Sequence, residues 1–168
     1  MIDTNKKRIQ YSRLEGIKSI HSSIFSKRIS EEISLGGFQL LISLTENDEV
    51  NSLSCIRYSE NFDKDKMFRF PLSVADSVTE AKPSVNYGNE LMDPSNGYSF
   101  LLENQRQGFK FEIITIITDI SFTDFVSNKD NMTLILGITK DNIIITAKDR
   151  KLLQKGDRWI IQKKKIVT

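Results

Sequence analysis

The stretch YSFLLENQRQGFKFEIITIITDISF, Tyr98 to Phe122, decides how the chain is read. Two apolar runs flank a polar pentapeptide ending in glycine, Asn104 to Gly108, which reads as a hairpin turn between two strands. In the second run Phe109, Phe111 and Ile113 share one face, while Ile114 and Ile116 point to the other. Such a change of phase predicts burial on both sides or a bulge near Ile113.

The same reading extends in both directions. Downstream, MTLILGITK and DNIIITAK form a second hairpin around Lys140 to Asn142, and KLLQ, KGD and RWIIQ form a third. Upstream, GGFQLLISLTE alternates with a period of two from Gly36, VNSLSCIRYS reads as the next strand, and KMFRFPL reads as an aromatic strand ended by Pro71. Ser73 and Asp76 begin a short helix near residues 74–82 that Pro83 stops. Ile9, Leu14, Ile17, Ile20 and Ile24 fall on one face of an N-terminal helix, which Gly16 weakens by about 1 kcal/mol. The expected fold is therefore α+β and predominantly antiparallel β. It is a single compact domain with an amphipathic helix and basic arm over residues 1–30 and a β-rich body over 31–168.

At 168 residues the chain can bury a core without disulfide or metal, and 39% hydrophobic residues against 27% charged is the balance of a folded domain. Its one cysteine, Cys55, lies in an apolar run and is expected to be a buried thiol. The polar N-terminus and the lack of any long apolar run lead to the expectation of a cytoplasmic protein.

Net charge is only +2, but it is unevenly spread. Residues 1–30 carry seven basic side chains against two acidic ones, and residues 138–168 carry nine against three, so the middle holds eight against seventeen. Basic ends flank an acidic centre. Three readings are open: the ends bind phosphates, they dock on the acidic middle of another copy, or they are solvated termini.

Catalytic chemistry finds few residues to use. The single histidine, His21, is remote in sequence from any candidate nucleophile, and one His with one Cys cannot make a zinc site. No phosphate-cradling glycine loop follows the P-loop pattern, and Asp63-Lys64-Asp65 reads as a solvated turn. The expectation is a protein without enzymatic activity, cofactor, metal or small-molecule substrate.

Binding remains. The candidate contact residues for nucleic acid, phosphate or membrane are Lys6, Lys7, Arg8, Arg13, Lys163, Lys164 and Lys165. Phe68, Phe70, Tyr98, Phe109 and Phe111, interleaved with Arg69 and Lys110, are either core residues or a stacking surface for single-stranded nucleic acid. The layout of a basic arm, a strand, a short helix and long antiparallel strands is similar in outline to small matrix proteins of negative-strand RNA viruses. That resemblance implies a virion or host-cytoplasm assembly protein. Such a protein self-associates and meets membrane or nucleocapsid through its basic ends. A non-catalytic single-strand nucleic-acid binder is the alternative.

Overall fold

The computed structural model describes residues 1–32, 37–71, 87–92, 97–127, 132–139, 144–145 and 152–164. The fold is α+β, but it is not predominantly antiparallel β. Among the described residues there are five α-helices, two small parallel sheets and one antiparallel sheet.

The N-terminal segment folds differently from the single amphipathic helix expected. Strand β1 (Ile2–Asp3) pairs in parallel with β2 (Ile20–His21), and helix α1 (Lys6–Leu14) lies between them. Asn5 caps α1 by accepting from the Lys7 and Arg8 amides. The helix stops because Gly16 adopts φ 75°, so that Ile17 N–H donates to Ser12 O and Gly16 N–H to Arg13 O, the double bond of a Schellman ending. Leu14 is 82% exposed as a result. Ile2, Ile20 and Ile24 pack instead on a core of Ile29, Cys55, Tyr58, Phe62 and Met67, to which helix α2 (Lys27–Glu32) contributes Ile29.

Strands β3 (Leu41–Ser43), β4 (Met67–Arg69) and β5 (Asn89–Glu90) form a parallel sheet in that order. Residues 50–57 of the run read as a strand belong to helix α3 (Asp48–Arg57). Asn47 caps it through the Val50 amide, and Asp48 and Glu49 put negative charge at its positive end. Asn51, Ser54, Cys55 and Tyr58 recur at helical spacing on its buried side. Burial removes Cys55 from water and raises its thiol pKa, against the opposing hydrogen bond to Ser43 and the charge of Arg69. Cys55 should therefore resist a thiol reagent such as DTNB in the native protein and react fully once urea unfolds it; fast native labelling would contradict this packing.

The first expected hairpin is a helix followed by a strand. Helix α4 (Tyr98–Arg106) ends where Gly108, at φ 89°, turns the chain into β6 (Phe109–Thr115). The glycine read as a hairpin turn is the residue that ends a helix. Helix α5 (Phe122–Ser127) follows β6, and its start is capped by Ser121, whose Oγ accepts from the Asp124 amide. Strand β7 (Met132–Ile138) pairs with β8 (Ile144–Ile145) as the second hairpin requires. The third hairpin is not formed as read: Leu153 only bridges to Ile120, and Lys155 and Gly156 turn directly into β9 (Arg158–Lys164). The helix expected near residues 74–82 lies outside the described residues.

Strand β9 runs through the middle of the antiparallel sheet, whose order is β6-β9-β7-β8. On one of its faces Trp159 and Ile161 pack with Ile116, Phe125 and Leu153. On the other, Ile160 meets the cluster of Phe68, Phe70, Leu91, Met92 and Leu101, and the buried Gln162 side chain donates to Leu101 O at 2.8 Å. The sheet thus has apolar layers on both faces. Its pairing with β6 is continuous from Phe109–Lys164 to Thr115–Arg158, so no bulge falls near Ile113; the irregularity is in β7, between Leu134 and Leu136.

Candidate interaction site

The register of β6 on β9 gathers positive charge at one end of the antiparallel sheet. Lys110 lies directly opposite Lys163, and Lys164 lies opposite Phe109. The first pair shares a sheet face with Glu112 and Trp159, while Lys164 and Phe109 share the other, where the ammonium sits 5.9 Å from the ring centre. All three lysines are exposed. Among the described residues no carboxylate forms an ion pair with Lys110, Lys163 or Lys164.

Like charges directly opposite across a sheet destabilise it by up to about 1 kcal/mol. The arrangement therefore costs the fold something and creates a concentrated positive potential. Phosphate oxygens are the matching chemistry, because ammonium groups displace counterions from a polyanion without any specialised motif.

The other expected contact residues are placed as follows. Lys6, Lys7 and Arg8 occupy the first turn of α1, where no acidic residue offsets the positive end of the helix. Lys6 and Lys7 are exposed without a described ion partner, whereas Arg8 reaches Asp3 at 3.7 Å. Arg13 is committed locally, donating from Nη2 to Ser19 O at 3.0 Å. Lys165 lies outside the described residues. The N-terminal cations lie on helix α1, whereas Lys163 and Lys164 lie on β9 of the antiparallel sheet.

The aromatic candidates separate into two groups. Phe68 and Phe70 are buried, and Arg69 between them is buried too, with Nη2 3.3 Å from Glu90 Oε1 and Nη1 donating to Phe70 O at 3.2 Å. They are core residues. Phe111 is 51% exposed and stands between Lys110 and Glu112 on the strand.

Elsewhere, His21 is exposed with Nε2 2.9 Å from Thr4 O, and Asp63 holds Lys66 Nζ at 2.7 Å beside Lys64 and Asp65. Among the described residues no group of three or more His, Cys, Asp or Glu is arranged to hold a metal ion, and no helix is long and apolar enough to cross a membrane. No protein-family model matches the chain, and no curated protein matches its sequence.

Proposed function

We propose that this is a non-enzymatic interaction and assembly protein, cytoplasmic and matrix-like in role. It binds a phosphate-rich polyanion through its basic ends and associates with copies of itself. The observation that carries this reading is the exposed group at one end of the antiparallel sheet, Lys110 and Lys163 directly opposite each other and Lys164 next to them on the other face, none of them paired with a described carboxylate. The exposed Lys6 and Lys7 in the first turn of α1, without a described ion partner, support it in the same way.

A second reading, single-stranded nucleic-acid binding, is favoured by one specific feature. Phe111 is exposed on the edge strand, on the sheet face that also carries Phe109 and Lys164, and exposed aromatic side chains near lysines are what stack on unpaired bases.

Titration of the full chain with a labelled single-stranded oligonucleotide and with phosphatidylserine vesicles tests the proposal. Binding to at least one is expected at 50 mM salt, with a steep loss by 200 mM. No binding to either at low salt would remove the polyanion reading. If only the oligonucleotide binds and Phe111→Ala weakens it while the chain stays monomeric, the second reading replaces the first.

A further inference from the structure

We propose that the free edge of β6 pairs with the β6 edge of a second copy. Two chains would then join about a twofold axis through Phe111 into one continuous eight-stranded antiparallel sheet. The inference rests on the self-association in the proposed function and names the surface responsible for it. Among the described residues β6 pairs only with β9, leaving its other edge without a partner strand.

The hydrogen-bond phase is the first argument. Ile116 N–H donates to Asp157 O at 2.8 Å and Ile116 O accepts from Gly156 N–H at 2.9 Å, so the backbone groups of Ile116 face β9. The register is unbroken from Ile116 back to Phe109, so those of Ile114, Glu112 and Lys110 also face β9. The N–H and C=O groups of Phe109, Phe111 and Ile113 therefore point out of the free edge, ready to bond another strand.

The side chains supply the second argument. Phe111 is 51% exposed and Ile113 71% exposed, and both lie on the same face as Phe109. An edge strand that presents large apolar groups without a protective bulge or proline is a template for pairing.

Charge selects both the occupant and the register. With the twofold axis on Phe111, Lys110 of each copy lies opposite Glu112 of the other, and Phe109 opposite Ile113. Moving the axis by one residue puts Lys110 opposite itself or Glu112 opposite itself. Only the central register makes both charge contacts attractive. A strand whose own lysine and glutamate satisfy each other under a twofold operation is complementary to its own copy. The same operation brings the lysines of both copies to the two sides of the axis, so that one polyanion meets both sets.

The test uses the full chain. Opposed Cα atoms in a hydrogen-bonded antiparallel pair are about 5.5 Å apart, within the disulfide range of roughly 4.4–6.8 Å. Phe111→Cys should therefore crosslink to its own copy under mild oxidation. Ile113→Cys, displaced from its own copy by about 13 Å along the strand, should not. The buried Cys55 is not placed to compete. In sedimentation velocity, K110E or E112K alone should weaken self-association by about tenfold or more, and the double variant K110E/E112K should restore it.

Oligomers of the unmodified chain that ignore the charge swap, with no F111C crosslink, would overturn this interface while leaving self-association standing. A chain that remains monomeric at every concentration would overturn both. If Phe111→Ala leaves association intact but weakens oligonucleotide binding, Phe111 is a stacking residue and the interface is also excluded.

Discussion

Replacing Trp159 by alanine should cost about 3–5 kcal/mol of stability, among the largest losses from any single side chain in this protein. Trp159 is fully buried in the strand at the centre of the antiparallel sheet, among Ile116, Phe125, Leu153 and Ile161 and 5.9 Å from the Phe122 ring. The facing strand has been left bare for it: a Cβ on Gly137 would lie 2.6 Å from two indole carbons. The cavity left by W159A is therefore walled by two strands and a helix and has little freedom to collapse. Against a total stability of about 5–15 kcal/mol, that loss removes much of the margin. W159F should cost markedly less. It keeps an aromatic ring and removes the Nε1–H, which is buried without an acceptor among the described residues. Because Trp159 is the only tryptophan, urea unfolding must be followed by circular dichroism. Equal losses for the two variants would mean that the cavity is not what governs the site.

The second large effect is expected at Arg69, which is 2% exposed in the middle of the parallel sheet. Its guanidinium joins Glu90 on β5, the Phe70 carbonyl and, through Nε at 3.3 Å, the Tyr87 carbonyl. Arg69→Met should destabilise the protein by about 3 kcal/mol, toward the low end for breaking a buried pair, because the Glu90 side chain retains 22% exposure. Removing both charges, in R69M/E90L, should recover part of the loss, since the carboxylate that faced the guanidinium is then removed with it. If the double variant is less stable than R69M, Glu90 has a stabilising role beyond Arg69. In that case the ion pair is not the main element of the site.

These sites also mark how much of the fold could be read from the sequence. The final strand with Trp159, Ile160 and Ile161, the pairing of β7 with β8, and the strand at Met67 follow from local apolar patterning. Helices α3 and α4 do not, because a short apolar run suits a helix or a strand equally. What distinguishes them is capping: Asn47 with Asp48 and Glu49 starts one helix, and Gly108 at positive φ ends the other. Both signals stand in the sequence, but within segments that also resemble turns. The parallel pairing of β3, β4 and β5 is non-local and leaves no mark in any single segment.

The candidate site divides along the same line. Lys163 and Lys164 are visible as a charge run, and so are Lys6 and Lys7. That Lys110 joins the lysines of β9 depends on which strand lies beside β6 and in what register, and sequence reading gave β6 a different neighbour. Arg69 illustrates the reverse case. Its alternation with Phe68 and Phe70 has the look of a nucleic-acid surface, yet the carboxylate of Glu90, 21 residues away, draws the guanidinium into the core.

The claim that the lysine end of the antiparallel sheet is the polyanion contact is tested most directly by the salt dependence of binding. Lys110, Lys163 and Lys164 are exposed, so their joint replacement by glutamine should leave the fold intact by circular dichroism. Each phosphate contact on a single strand contributes about 0.7 to the slope of log Kobs against log salt concentration. The triple variant should therefore bind a single-stranded oligonucleotide with a slope shallower by about two than that of the unaltered protein. An unchanged slope and affinity in the folded triple variant would show that these lysines touch no phosphate and would contradict the account.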